Sequence, residues 1–182
     1  MSFWAGIYTK ELGGKGNVVI IQGPPGASIA IDRERGFREE IAKYPNIKII
    51  AAQPADWQKE KAFAVMQSLL QRYKEIDGVF GINDSMAEGA ALAAEQAGRL
   101  KGMSIWGLDG EKDALTMIEE GKLTGTVYTN CYEQGATAMR LVEYLLTSGL
   151  KPKDIKKTGV IQIAPVVVTK STVANIKPED RW

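Results

Sequence analysis

The run Gly78-Val79-Phe80-Gly81-Ile82, followed at once by Asn83-Asp84-Ser85-Met86-Ala87-Glu88, decides the fold. Its first part is short and apolar without alternation, as in a strand buried on both faces of a parallel sheet. Its second part is polar, and Ser85 with Glu88 three places on has the form of a capping box. Gly98 suits a carboxy-terminal cap, so the spacing predicts a helix from about 86 to 97. A strand that passes to a helix through a polar pair is one unit of a βα repeat.

The same alternation extends in both directions. Asn17 to Gln22, Ile47 to Ala52, Met103 to Leu108 and Gly125 to Tyr128 are further short β-rich runs. Between them lie segments of helical period, clearest at Ala62, Val65, Met66, Leu69, Leu70 and Tyr73, which recur at three- and four-residue steps. Another helix carries Leu115 and Ile118 and stops at Gly121, and Phe3 to Leu12 can form a helix covering one face. The fold class that follows is α/β, a three-layer α/β/α open parallel sheet of Rossmann-like form. After Tyr132 the alternation ends. A helix with Ala136, Met139, Val142, Leu145 and Leu146 is followed by extended runs near Val160 to Ile163 and Val166 to Thr169.

Composition narrows the function classes. The chain has 182 residues, 25% of them charged, and a net charge of +1, with no bias toward nucleic acid or an anionic membrane surface. Histidine is absent and Cys131 is the single cysteine, so no intrachain disulfide, Cys/His metal site or His-activated nucleophile is expected. No cofactor is expected. No apolar run reaches the roughly 20 residues that span a bilayer. The start, Met1 to Gly6, lacks the pattern of a secretory signal, so the expectation is a cytoplasmic chain or one whose amino-terminal portion is missing.

In an open parallel sheet, ligands bind beyond the carboxyl ends of the strands. There the sequence places Gly23-Pro24-Pro25-Gly26-Ala27-Ser28, then Gln53, Asp56 and Trp57, then Asn83 and Asp84, then Asp109, then Thr129 and Asn130. Carboxylates and amides with one large aromatic suit a polyol, whose hydroxyls they bond and whose C–H face an indole covers. The Gly23 loop has neither a phosphate-binding nor a dinucleotide-binding glycine pattern and reads as a tight turn capped by Ser28. Arg33 shares the buried stripe of Phe37 and Ile41 near a helix amino terminus, where a cation is disfavoured. It is either a ligand clamp or one half of an internal salt bridge to Asp32, Asp56 or Asp109. Trp57 is either a stacking platform or a core or lid aromatic. Asp84 reads as a helix cap, and Cys131 as inert.

Val19-Ile20-Ile21-Gln22-Gly23, Arg33-Glu34-Arg35-Gly36-Phe37, Gln53-Pro54-Ala55-Asp56-Trp57, Ile82-Asn83-Asp84-Ser85-Met86-Ala87-Glu88-Gly89-Ala90 and Gly107-Leu108-Asp109-Gly110 together resemble the ribose-binding-protein family of type I periplasmic sugar receptors. The resemblance runs from about residue 5 to 170 and corresponds to the second part of a family member. It implies that Arg33 clamps sugar hydroxyls or the ring oxygen, that Trp57 stacks on the ring, and that Asn83 and Asp109 bond hydroxyls. Thr129 stands where ribose receptors commonly have Gln, and Trp57 where they have Phe, departures that lean away from ribose itself. The implied partners are a monosaccharide such as ribose or a related sugar and, through the full-length parent, the membrane permease of an ABC importer. Nucleic acid is not an expected partner, and the parent is expected to be periplasmic or extracytoplasmic.

The same resemblance divides the chain into a sugar-binding carboxy-terminal lobe (1–131), a crossover segment belonging to a missing amino-terminal lobe (132–164), and a return strand and tail (165–182). An apolar helix made for an absent lobe is expected to fold back or to associate with a second copy. Two alternatives stand beside a binding lobe. One is the effector core of a lactose-repressor-type regulator, which has a similar Asn-Asp-x-Met-Ala stretch. The other is an enzyme on the same fold, disfavoured by the lack of histidine, nucleophile elbow and phosphate loop.

Overall fold

The computed structural model describes residues 2–149 and 164–182. Its sheet is formed by β1 (Lys15–Gln22), β2 (Asn46–Pro54), β3 (Gly78–Gly81), β4 (Ser104–Asp109), β5 (Gly125–Tyr128) and β6 (Val166–Thr169), in the order β2-β1-β3-β4-β5-β6. The first five strands are parallel, and β6 adds to the β5 edge in the antiparallel sense. The helices are α1 (Ser2–Glu11), α2 (Ser28–Ile41), α3 (Lys59–Arg72), α4 (Asp84–Gln96), α5 (Lys112–Glu120) and α6 (Cys131–Thr147).

Chain direction across the sheet reverses once. From β1 the chain moves outward to β2, then back past β1 to β3 and on to β4 and β5. Right-handed crossovers therefore put α2 on one face and α3, α4 and α5 on the other, with α1 beside α2. The reversal opens a crevice at the carboxyl ends of β1 and β3, the place where such sheets bind ligands.

The two faces are filled differently. Beneath α1 and α2, Phe37 stacks on Phe80 with ring centroids 4.4 Å apart, and Tyr8 meets Phe37 and Trp106 edge-on at 5.4 and 6.5 Å. These rings are fully buried. On the other face Ala62, Met66, Leu69 and Leu70 of α3 meet the alanine-rich side of α4, confirming the expected stripe. Burying the phenylalanine, methionine and leucine side chains among these contributes roughly 1.5–3 kcal/mol each.

β2 departs from the expectation of strands buried on both faces. As an edge strand it leaves Ile49 to Ala52 only half-buried. Its register slips beside Val18 and Val19, and the Ile50 carbonyl accepts the Tyr73 hydroxyl at 3.1 Å.

Helix starts also differ. α4 begins at Asp84, and its cap is Asn83, whose Oδ1 accepts the Met86 amide at 3.0 Å. Neither Ser85 nor Asp84 caps it: the Ser85 hydroxyl donates to Glu111 at 2.9 Å. Ser28 likewise lies inside α2, behind an Ala27 that makes no side-chain cap. The stop at Gly121 is as expected, in the left-handed conformation.

α6 stands away from the sheet. No residue of α6 is buried, and Tyr132, Met139, Tyr144 and Leu146 are among its exposed apolar side chains. Of the two outcomes expected for this helix, folding back or association with a second copy, the first would bury its apolar side chains against the lobe, and here they are not buried. Val166 to Thr169 forms the expected strand, while the run Val160 to Ile163 lies outside the described residues. Beyond β6 the tail returns across the sheet's end. The Tyr128 hydroxyl donates to the Asp180 carbonyl at 2.7 Å, and the Lys112 amide to that of Trp182 at 2.7 Å.

Candidate functional site

Four of the five expected site residues meet at the carboxyl ends of β3, β4 and β5. Arg33, in the second turn of α2, reaches across the sheet edge. Its Nη1 donates to the Ile82 carbonyl at 2.9 Å and to Asp109 at 3.3 Å, and its Nη2 bonds the other Asp109 oxygen. The fork thus engages one carboxylate bidentately, with both side chains mostly buried. Of the salt-bridge partners open from the sequence, Asp109 is the one used, while Asp32 pairs with Arg35 and Asp56 with Lys61.

Asn83 follows the carbonyl that Arg33 holds. Capping occupies its Oδ1, and among the described residues no acceptor bonds its Nδ2. Asp109 ends β4 with φ +116°, a conformation that L residues rarely adopt and that costs on the order of 1–3 kcal/mol. Its carbonyl accepts the Thr129 amide at 2.9 Å. Thr129 is therefore joined to the group through its backbone, and its side chain is half-buried beside it.

Trp57 stands apart on the loop between β2 and α3. The Ala55 amide donates to the Gln22 carbonyl at 2.8 Å, after which Asp56 and Trp57 take left-handed backbone with φ of +54° and +64°. This turn lays the half-buried indole over Gly23, where a Cβ would fall 2.7 Å from the ring. Gly23 is thus more than a tight turn; it is the floor on which the indole lies. Only tertiary placement reveals this, because Gly23 and Trp57 sit on different loops.

The structure also corrects Asp84. Fully buried, it accepts the amides of Gly110 at 2.6 Å and Glu111 at 2.8 Å and the Thr126 hydroxyl at 2.6 Å. Burial pushes its pKa up to about 7 against the opposing pull of these three donors, with the Asp109 charge adding to the rise. An acidic residue directly after an apolar strand was the available sequence signal, and a helix cap explains it equally well from sequence alone. Cys131, at the start of α6, has its thiol pKa raised by burial and by Asp109.

Chemically, this edge offers guanidinium and amide donors, carboxylate and hydroxyl acceptors, and an aromatic face. The chain's likenesses agree with that geometry. The family described as periplasmic binding protein domain matches residues 3–151. A xylitol-binding protein of Mycolicibacterium smegmatis is 37% identical over 164 residues, covering 90% of this chain and 45% of that protein. The D-allose-binding periplasmic protein of Escherichia coli is 37% identical over 139 residues, covering 76% and 45%. Among solved structures, an ABC transporter periplasmic solute-binding protein of Actinobacillus succinogenes with bound D-allose superimposes with TM-score 0.86 at 33% identity, covering 94% of this chain and 58% of that one. A Bacillus halodurans solute-binding protein with bound myo-inositol gives 0.84 at 28%, covering 94% and 57%. The chain spans about half the length of these relatives. Fold, strand-end geometry and sequence agree on one conclusion: the chain belongs to the periplasmic binding protein domain family.

Proposed function

We propose that the chain is one lobe of a monosaccharide-binding receptor and binds without catalysing a reaction. The observation that carries this is the bidentate Arg33–Asp109 pair at the sheet edge, flanked by the free amide of Asn83. A guanidinium already held by a carboxylate presents fixed donors and acceptors to vicinal hydroxyls and loses little entropy on binding. Thr129 adds a hydroxyl, and Trp57 a ring face for the C–H side of the sugar. Relatives that bind xylitol, D-allose and myo-inositol support a ligand that is a polyhydroxylated small ring or chain. They are binding proteins, which does not favour the repressor-core reading.

In the parent receptor, residues 132–164 cross into a second lobe, 165–182 return, and sugar is enclosed between the two. That parent is extracytoplasmic and passes its sugar to the permease of an ABC importer. One lobe holds about half the contacts, so a parent binding at ~1 μM, about −8 kcal/mol, leaves a lobe that binds near ~1 mM. The test is a titration of the ¹⁵N-labelled chain with D-allose, D-ribose and xylitol, followed by NMR. The expected result is millimolar binding with shifts at Arg33, Asn83, Asp109 and Thr129 and at the Trp57 indole. Shifts confined to other residues, or none with any sugar, would refute the reading.

A further inference from the structure

The carboxylate of Asp84 has no part in capping α4, a role taken by Asn83. It ties the start of α4 to the turn beyond β4 and to β5 instead. From the start of α4 it holds the Gly110 and Glu111 amides beyond β4 with Oδ2 and the Thr126 hydroxyl of β5 with Oδ1. Gly107 makes room for it, since any Cβ there would collide with Oδ1. Gly110 is the residue directly after Asp109, and the Asp109 carbonyl is held from the other side by the Thr129 amide. The left-handed turn that aims the Asp109 carboxylate at Arg33 is therefore fastened at both ends.

We propose that Asp84 is a positioning residue: it clamps the Asp109–Gly110 turn so that Asp109 stays on the Arg33 guanidinium and both face the sugar. The part concerning sugar rests on the function proposed above; the part concerning the turn does not. The clamp needs an acceptor for two amides and a partner for one hydroxyl. Asparagine meets that need, its carbonyl taking the amides and its Nδ2 donating to Thr126, whereas alanine leaves the buried Gly110 amide and the part-buried Glu111 amide unpaired.

The test uses the full chain, ¹⁵N-labelled, as wild type, D84N, D84A and the core control I118V. Three quantities are read: hydrogen exchange of the Gly110 and Glu111 amides, the Arg33 Nε–H resonance, and affinity for D-allose. D84N is expected to keep slow exchange and the Arg33 resonance, with affinity within about threefold of wild type, while D84A speeds exchange, shifts Arg33 and weakens D-allose about tenfold or more. I118V is expected to leave all three unchanged, which separates positioning from general loss of stability. Retained protection and an unmoved Arg33 resonance in D84A would overturn the proposal, as would D84N failing as badly as D84A. Should D84A not fold, fast exchange of Gly110 and Glu111 in the wild type overturns it alone, and slow exchange there that T126V weakens supports it. If the amides and Arg33 respond as expected while wild type binds no sugar, the sugar reading fails and the clamp on Asp109 stands.

Discussion

Asp109 keeps a left-handed backbone because its neighbours compensate for the strain: Thr129 on its carbonyl, Asp84 on the next amide and Arg33 on its side chain. Removing Arg33 leaves a mostly buried carboxylate without its cation, an effect of several kcal/mol. R33A is therefore expected to weaken sugar affinity beyond detection and to lower the urea midpoint clearly, with R33K recovering stability better than binding because a lysine keeps the charge but lacks the planar fork that fixes donors on both Asp109 oxygens. Asp84 carries a pH signature. Its folded pKa of about 7 lies above the ordinary 3.8, so the folded state holds the proton more tightly than the unfolded one. The stability this adds is full below about pH 4 and is lost as pH rises toward 7. Urea unfolding at pH 5, 6, 7 and 8 should show wild type losing stability relative to D84N by up to about 1.4 kcal/mol per unit below pH 7. A wild type that gains on D84N over that range would contradict the buried, proton-holding Asp84.

The elements differ in how they bring residues to the site. α2 delivers Arg33 from its buried stripe, a placement readable from the spacing to Phe37 and Ile41. The β2–α3 loop delivers Trp57 only because two consecutive residues turn left-handed and Gly23 lacks a side chain. G23A is expected to displace the indole and shift Trp57 fluorescence, weakening sugar binding about tenfold, with the overpacking costing about 1–3 kcal/mol in stability. Unchanged binding in G23A, with W57A also unchanged, would remove Trp57 from the site. α6 is the element the sheet does not use, with Leu146 80% and Tyr132 74% exposed.

At the scale of the whole molecule, an unburied apolar helix on a chain of about half its relatives' length calls for a cover. Light scattering after size exclusion is expected to show concentration-dependent self-association of this chain, relieved by the double substitution Met139→Glu and Leu146→Lys. A monomer over a wide concentration range would count against it. On the proposed function, a protein that adds a second, opposing lobe to this chain is expected to bind sugar at micromolar affinity, which calorimetry on the two proteins side by side would measure.

Sequence alone determined the layered α/β architecture, because short apolar runs and helical stripes are local periodicities that only one sheet type satisfies. It also determined that Arg33 lies on a buried face and which polar residues follow each strand. Tertiary structure decided which of three aspartates answers Arg33, since that depends on strand order rather than chain distance. It decided that Asn83 caps α4 while Asp84 reaches across to β4 and β5, a choice between adjacent residues with the same local propensity. It alone put Gly23 beneath Trp57, because contacts between loops leave no periodic trace in the chain.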